Sequence, residues 1–308
     1  MTYVESVAYW SLPLEGISPR SHDGRSGLIS IPQVPLSRSL VSRQSLFSAK
    51  RTFFEVPYVS PRDVRGVLNA RAIMVRDLKG DFDFVLSTGA ALALAGAAFA
   101  RRRRIPFVYV ESVSRFDGPS LTGKMLAAGV RGASLFTQHE AWAGPRWRYE
   151  SSLLDAYTVI EQPMSERPLR IFVTLGTIRP YRFDRLIRQI ETITTADDTL
   201  IWQLGESMTP EIRGEVHQYM AAAEFDDQCQ RADVVVSHAG VGSLLRMAEL
   251  GIRPIAVPRR ADFGEHVDDH QEQAAAQFGT RNLAWPVEAD RLTRHDLLSC
   301  PAEIRETV

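Results

Sequence analysis

The 308-residue chain predicts an α/β protein made of two Rossmann-like, doubly wound parallel-sheet domains. Three observations carry this. Short apolar runs of strand formers alternate with segments of helical period in both halves, which is the signature of βαβ units. The alternation is broken once, by a stretch holding Gln162, Pro163, Glu166 and Pro168. Glycines stand where strands run into helices, as the tight turns of such sheets require.

Composition sets the frame. Hydrophobic residues make up 44% and charged residues 24%, close to the globular average, so a packed protein long enough for two cores is expected. A net charge of -1 gives no electrostatic reason to expect nucleic acid. Cys229 and Cys300 lie far apart without partners at metal-ligand spacing, which suits a reducing compartment. The most apolar run, Phe84 to Ala100, is interrupted by Ser87, Thr88 and Gly89 and reads as strand then helix, not as a membrane span. With Glu5 and Glu15 and no basic lead-in to an apolar core, the start does not read as a signal peptide.

Residues 1–50 are rich in Ser, Arg, Gly and Pro without a period and predict a loosely ordered segment. A first domain is expected over 51–157: a strand at Phe53 to Val56, a helix over Asp63 to Lys79, a strand at Phe82 to Ser87, a helix over Ala90 to Arg101 and a strand at Pro106 to Glu111. Residues 158–168 read as a linker. A second domain is expected over 169–290, with strands at Ile171 to Thr174, Leu200 to Leu204, Ala232 to Ser237 and Ile252 to Val257, and helices over Arg182 to Thr194 and Val241 to Leu250. Residues 291–308 read as a tail or a helix returning to the first domain.

Three elements of the second domain suggest a ligand. In Asp233-Val-Val-Val-Ser-His-Ala-Gly-Val-Gly-Ser243 a buried strand runs straight into a helix start. Such a turn aims unpaired N–H groups at an anion, with Gly240 and Gly242 allowing close approach and Ser243 adding a hydroxyl. The same pattern also serves as a βα turn with nothing bound. Gly176 and Thr177 end the domain's first strand, so a parallel sheet puts them on the same carboxyl edge, where ligands of open α/β sheets bind. Asp268, Asp269, His270 and Gln271 open a further helix, either as sugar-bonding side chains or as an ordinary solvated cap.

These motifs are specific together. With VTLGT at 173–177, ADVVVSHAGVGS at 232–243, Glu249 ahead of GIRPIAVPR at 251–259 and DDHQ at 268–271, the stretch from Ile171 to about Glu288 resembles the C-terminal domain of glycosyltransferase family 28, of GT-B fold. The resemblance implies that Gly240, Gly242 and Ser243, with Gly176, Thr177 and His238, surround the diphosphate of a UDP-sugar donor. It implies that Glu249 binds the ribose, that Asp269, His270 and Gln271 face the sugar, and that the region of Phe225 meets the uracil. Without it, Glu249 is an ordinary helix residue and Phe225 core.

In the first domain, Val108-Tyr-Val-Glu-Ser112 precedes Gly118-Pro-Ser-Leu-Thr-Gly-Lys124. The latter has the glycine and lysine spacing of a P-loop, but Met125 stands where Ser or Thr would hold Mg²⁺. Together with STGAA at 87–91 and Phe136-Thr-Gln138, this region resembles the acceptor-side subunit of a two-subunit transferase related to that family. Ser112, Ser120, Thr122 and Lys124 are then acceptor-side residues, and the chain resembles both subunits fused. Such relatives open with a strand and a Gly-Gly-His loop. Residues 1–50 lack that motif, and His22 has no strand before it, so the initial βα unit is expected to be absent.

The resemblance implies an inverting transfer of N-acetylglucosamine or another hexose from a UDP donor to a lipid-linked saccharide, in cell-surface polysaccharide synthesis of the exopolysaccharide type. It requires no cofactor and no metal, since Asp268 and Asp269 are adjacent and do not form an Asp-x-Asp pair. The general base nominated is Glu111, with His266 as a second choice. Arg101 to Arg104 suit either a solvated helix end or an anionic membrane surface, and the resemblance favours peripheral attachment at the inner, cytoplasmic face of the plasma membrane. Homo-oligomers and a partner subunit are compatible with it. Two rivals stay open: a non-catalytic UDP-sugar-binding protein that needs a partner, and a UDP-sugar epimerase on the same fold.

Overall fold

A computed structural model describes residues 56, 59, 63–89, 91–209 and 212–307. The expectations for residues 1–50, for the strand from Phe53 and for an initial βα unit lie outside them. The chain divides into two compact units, Met1–Leu153 and Leu154–Val308.

In the first unit, helix α1 (Val64–Asp77) begins where Asp63 accepts a 2.8 Å bond from the Gly66 N–H. Strand β1 (Val85–Ser87) leads into α2 (Leu92–Arg103), whose small side chains let it lie close on the sheet: a Cβ on Gly96 would be 3.5 Å from Val85 and 3.6 Å from Phe107. Then follow β2 (Phe107–Val110), α3 (Leu121–Gly129), β3 (Ser134–Thr137) and β4 (Arg148–Tyr149). The sheet is parallel throughout, in the order β1-β2-β3-β4.

The second unit begins with β5 (Tyr157–Glu161) and continues as β6 (Arg170–Thr174), α4 (Asp184–Ile193), β7 (Thr199–Gln203), β8 (Glu215–His217) and α5 (Ala222–Arg231). It goes on as β9 (Val234–His238), α6 (Val241–Glu249), β10 (Ile255–Val257), α7 (His270–Gly279), β11 (Trp285–Pro286), α8 (Arg294–Ser299) and β12 (Ala302–Glu306). Six strands form one parallel sheet, ordered β11-β10-β9-β6-β7-β8. Alternation along the strands splits the core between its faces. Ile171, Val173 and Trp202 pack with Leu186, Ile187 and Ile190 of α4, while Phe172, Ile201 and Val235 pack with Met247 and Cys229. Each fully buried large apolar side chain is worth about 1.5–3 kcal/mol. Both cysteines are buried thiols, each pushed up to about 12 by burial.

Two expectations fail here. The supposed linker opens with β5, and the chain's end is neither a tail nor a returning helix. β12 pairs antiparallel with β5 inside the second unit, from Tyr157↔Glu306 to Glu161↔Ala302. The buried Arg253 guanidinium fastens this ribbon, donating to Glu161 at 2.7 Å and to the Cys300 carbonyl at 2.8 Å. Sequence order reverses between β6 and β9, which makes their carboxyl ends the topological switch point of the sheet.

Candidate functional site

At that switch point two glycine turns close on one imidazole. Gly176, just past β6, holds φ +75°, and a Cβ there would lie 2.6 Å from Nε2 of His238. A Cβ on Gly240, just past β9, would lie 2.5 Å from the same nitrogen. Any side chain at either position would displace the ring. Gly205, past β7, in turn packs against the Gly176 carbonyl, where a Cβ would clash with backbone. Three neighbouring strands thus end in glycines because their turns are stacked.

His238 is half-buried as a residue, but its Nδ1 is buried and makes no hydrogen bond among the described residues. Burial, and then the positive charge of Arg259, push the imidazole down to about 3, so the ring is neutral across the physiological range. The chain then turns into α6. Its N-cap is Gly240, no side chain caps it, and its first-turn N–H groups point along the helix's positive end. A Cβ on Gly242 would meet no described atom within 4 Å, and Ser243 beside it is half-buried. The arrangement offers backbone donors, one hydroxyl, a neutral imidazole and room for an anion to approach.

A fourth strand end, past β10, supplies a buried cation. Arg259 is 0% exposed. Its Nη2 donates to the Leu175 carbonyl at 2.5 Å, and its Nη1 to those of Tyr181 at 3.2 Å and Glu265 at 3.0 Å. The guanidinium lies over the Phe183 ring at 5.1 Å. No carboxylate bonds to it among the described residues, since Glu265 is taken up by Arg185 at 3.0 Å. Burial accordingly lowers its proton affinity to about 10. The sequence placed no role on Arg259: an Arg-Arg pair after a proline looks solvated, and only Arg260 keeps that character, paired with Glu272 and Glu288.

The remaining expected residues divide. Thr177 is exposed beside Gly176. Gln271 is 6% exposed and accepts from the Arg259 N–H at 3.1 Å. Asp269 is the N-cap residue of α7, exposed, and accepts weakly from Ala261 N–H at 3.3 Å. His270 is exposed, with Nδ1 3.1 Å from Gln273. His266 is the histidine nearer the wedge: it is among the charges felt by His238, and its ring lies 6.0 Å from that of Tyr181.

Two residues are not brought to this edge. Glu249 ends α6, and seven residues from Gly242 at 1.5 Å rise put it about 10 Å down the helix. There it pairs with Arg246 at 2.8 Å. Phe225 packs edge-on against Phe172 at 5.5 Å, beneath the sheet, as core.

In the first unit Glu111 is 2% exposed. Its carboxylate accepts from Tyr109 Oη at 3.1 Å, from Ser112 N–H at 3.1 Å, and from both the N–H and the hydroxyl of Ser120 at 2.9 Å. A Cβ on Gly123 would fall 2.5 Å from it, which explains the glycine. A carboxylate so filled organises the turn into α3 and has no oxygen free to take a proton from a substrate. Ser120 is the helix cap, accepting from Gly123 N–H at 3.1 Å, and Lys124 and Thr122 lie on the helix beyond it, so the segment is no phosphate loop. The hydroxyl of Ser112 meets that of Ser114 at 2.9 Å. Among the described residues no group of three His, Cys, Asp or Glu is placed to hold a metal, and no helix is long and apolar enough to cross a membrane.

Residues 170–298 match the model of the glycosyltransferase family 28 C-terminal domain. Over 260 residues the chain is 24% identical to the UDP-N-acetylglucosamine--N-acetylmuramyl-(pentapeptide) pyrophosphoryl-undecaprenol N-acetylglucosamine transferase of Trichormus variabilis, covering 78% of this chain and 72% of that protein. It is 28% identical over 225 residues to the transferase of the same name from Shewanella baltica, covering 68% and 59%. Among solved structures, MurG of Acinetobacter baumannii aligns at a TM-score of 0.48 and 15% identity, over 82% of this chain and 75% of that one. The calicheamicin glycosyltransferase CalG4 aligns at 0.43 and 15%, over 79% and 72%.

Proposed function

We propose that this chain is an inverting glycosyltransferase, a reading supported by the match of residues 170–298 to the glycosyltransferase family 28 C-terminal domain. It moves N-acetylglucosamine or another hexose from a UDP donor to a hydroxyl of a lipid-linked saccharide, for a cell-surface polysaccharide. The observation that carries the reading is the His238 imidazole held between Gly176 and Gly240 at the switch point, next to the uncapped start of α6. The relatives' names supply the sugar nucleotide and the polyprenyl acceptor; the geometry supplies a place for a diphosphate. A departing UDP is stabilised there by fixed N–H dipoles that need no reorganisation as charge develops.

Among the described residues we assign no carboxylate of this edge as the acceptor hydroxyl's base. Glu111 is withdrawn from that role by its four donors, and His266, half-buried beside Tyr181, is the titratable side chain we propose to examine for it. Peripheral membrane attachment is supported by α3, which exposes Leu121 and Met125 one turn apart beside exposed Lys124, and by the exposed Arg101–Arg104. Vesicles with anionic lipid should bind the chain, and Leu121→Asp with Met125→Asp should release it; equal binding by the variant rejects this face.

Calorimetric titration with UDP, UDP-N-acetylglucosamine and UDP-glucose tests the main reading. One donor should bind, and the same donor should be consumed only when a polyprenyl-diphosphate saccharide is added. Failure of every uridine nucleotide to bind would reject the site. Binding without turnover under any acceptor would favour a non-catalytic donor-binding subunit.

A further inference from the structure

Arg259 is a fully buried cation at this edge, and it ties the β6–α4 connection that carries Gly176 to the loop between β10 and α7. Its three accepting carbonyls lie in two loops: Leu175 immediately before Gly176 and Tyr181 further along the same connection to α4, and Glu265 in the loop between β10 and α7. Its own backbone N–H is held by Gln271 at the start of α7. Carbonyl oxygens solvate a guanidinium but do not cancel its charge, and the nearest carboxylate, Glu265, is bonded to Arg185 at 3.1 and 3.0 Å instead. Its Nε is buried with no partner among the described residues. Glu265 and Asp184 act on it only through space, so its burial is incompletely compensated, and an anion entering its field stabilises it.

We propose that Arg259 is a positioning residue for the nucleoside diphosphate: it fixes the Gly176 turn and the Glu265 loop against each other and supplies the buried positive charge that the diphosphate answers. The inference rests on reading this edge as the site of a UDP donor. The charge does reach the wedge, since it is one of the causes that keep His238 neutral. Arg259 touches no substrate atom. It acts through the Leu175 carbonyl on the adjacent Gly176 turn and through space on the anion. The role suits arginine and not lysine in geometry, because a single ammonium cannot span three carbonyls, whereas it can keep the charge.

The two parts of the role predict different variants. Arg259→Met fills much of the volume without charge or donors, and Arg259→Lys keeps the charge with fewer donors. UDP affinity is measured by calorimetry, uridine affinity by competition against UDP, and folding by circular dichroism and thermal unfolding. In Arg259→Met, UDP affinity should fall at least tenfold while uridine affinity changes less than threefold. Arg259→Lys should recover most of the UDP-over-uridine preference even at a lower melting temperature. Equal losses for UDP and uridine in a folded Met variant would make the residue purely structural and overturn the proposal, as would unchanged UDP binding. Should the Met variant not fold, the Lys variant decides: a preference for UDP over uridine reduced to that expected of an uncharged side chain overturns it. Wild-type protein that binds no UDP would reject the donor-site reading itself, and this inference with it, whereas wild-type binding with an indifferent Arg259→Met rejects this inference alone.

Discussion

Gly242→Ala separates the two reasons a glycine can stand at a helix start. Gly242 is the second residue of α6, its φ lies outside the left-handed region, and a Cβ there would meet no described atom within 4 Å. The free protein therefore has room for the methyl, and alanine should stabilise it by about 0.5–1 kcal/mol through the lower entropy of the unfolded chain. For a unit of this size that is a rise in melting temperature of about 1–4 °C. A diphosphate seated on the first-turn N–H groups would meet that methyl, and a tenfold loss of affinity, about 1.4 kcal/mol, is expected. The two effects are read in one experiment, thermal unfolding with and without UDP. At 100 times the wild-type Kd, UDP stabilises the wild type by about 2.7 kcal/mol, and a tenfold weaker variant by only about half as much. The variant should thus start higher and gain less. A variant that gains as much from UDP as the wild type would show that no ligand approaches Gly242, and a variant less stable than wild type would refute the reading of its surroundings.

Three further outcomes follow from the same geometry. Because the His238 ring is pushed from 6.5 down to about 3, the unfolded chain binds a proton between those values that the native state refuses. Stability should fall as pH drops below about 6.5, by at most about 1.4 kcal/mol per pH unit from this residue, and level off near 3. Urea unfolding at several pH values should show a shallower slope for His238→Gln; identical slopes would place the pH sensitivity elsewhere. Glu249→Ala removes one partner of a half-exposed Arg246 that keeps Asp226, so it should cost under about 1 kcal/mol and shift UDP affinity less than threefold. A tenfold loss by calorimetry would return Glu249 to the ribose. Glu111→Gln presents an amide to donors that need an acceptor, and should destabilise the first unit by about 2–4 kcal/mol in a denaturant titration. A variant as stable as wild type that has lost only turnover would instead make Glu111 the base.

Strands β1, β2, β6, β7, β9 and β10 and the glycine turns were legible because local pattern decides them, while the two- and three-residue strands β4, β8 and β11 carry too little pattern to be read. Ile171-Phe-Val-Thr174 and Val234-Val-Val-Ser-His238 are too short and too apolar to be anything but central strands, and parallel pairing then puts Gly176 and Gly240 on one edge without further knowledge. The ribbon of β5 and β12 was not legible, because its partners are some 140 residues apart and Gln162-Pro163 reads as linker. Phe225 and Glu249 show the limit of a resemblance. Both lie in matching segments, yet the side chain of one points into the core and the other sits at the far end of its helix, distances that a motif does not record. Glu111 looked catalytic for being a carboxylate at a strand's carboxyl end. The four donors that fill it come from its own turn, and only their geometry shows that no lone pair is left over.

His238 and Arg259 belong to one electrostatic arrangement. A histidine at a phosphate site would ordinarily gain a proton and supply charge itself. Here the ring is confined by two glycines, its Nδ1 is buried, and it lies in the field of a guanidinium that cannot lose its own proton near neutral pH, so the ring is the group that gives way. The division leaves the permanent charge on the side chain anchored to three carbonyls, and leaves the imidazole to act by shape and as a neutral donor or acceptor. His266 and His270 stand at the same edge, so the test replaces both by Gln: affinity of that variant for a diphosphate should vary with pH only through the ligand's own titration, and a UDP affinity that climbs as pH falls from 8 to 5 by more than that would mean His238 does take up a proton when the anion arrives.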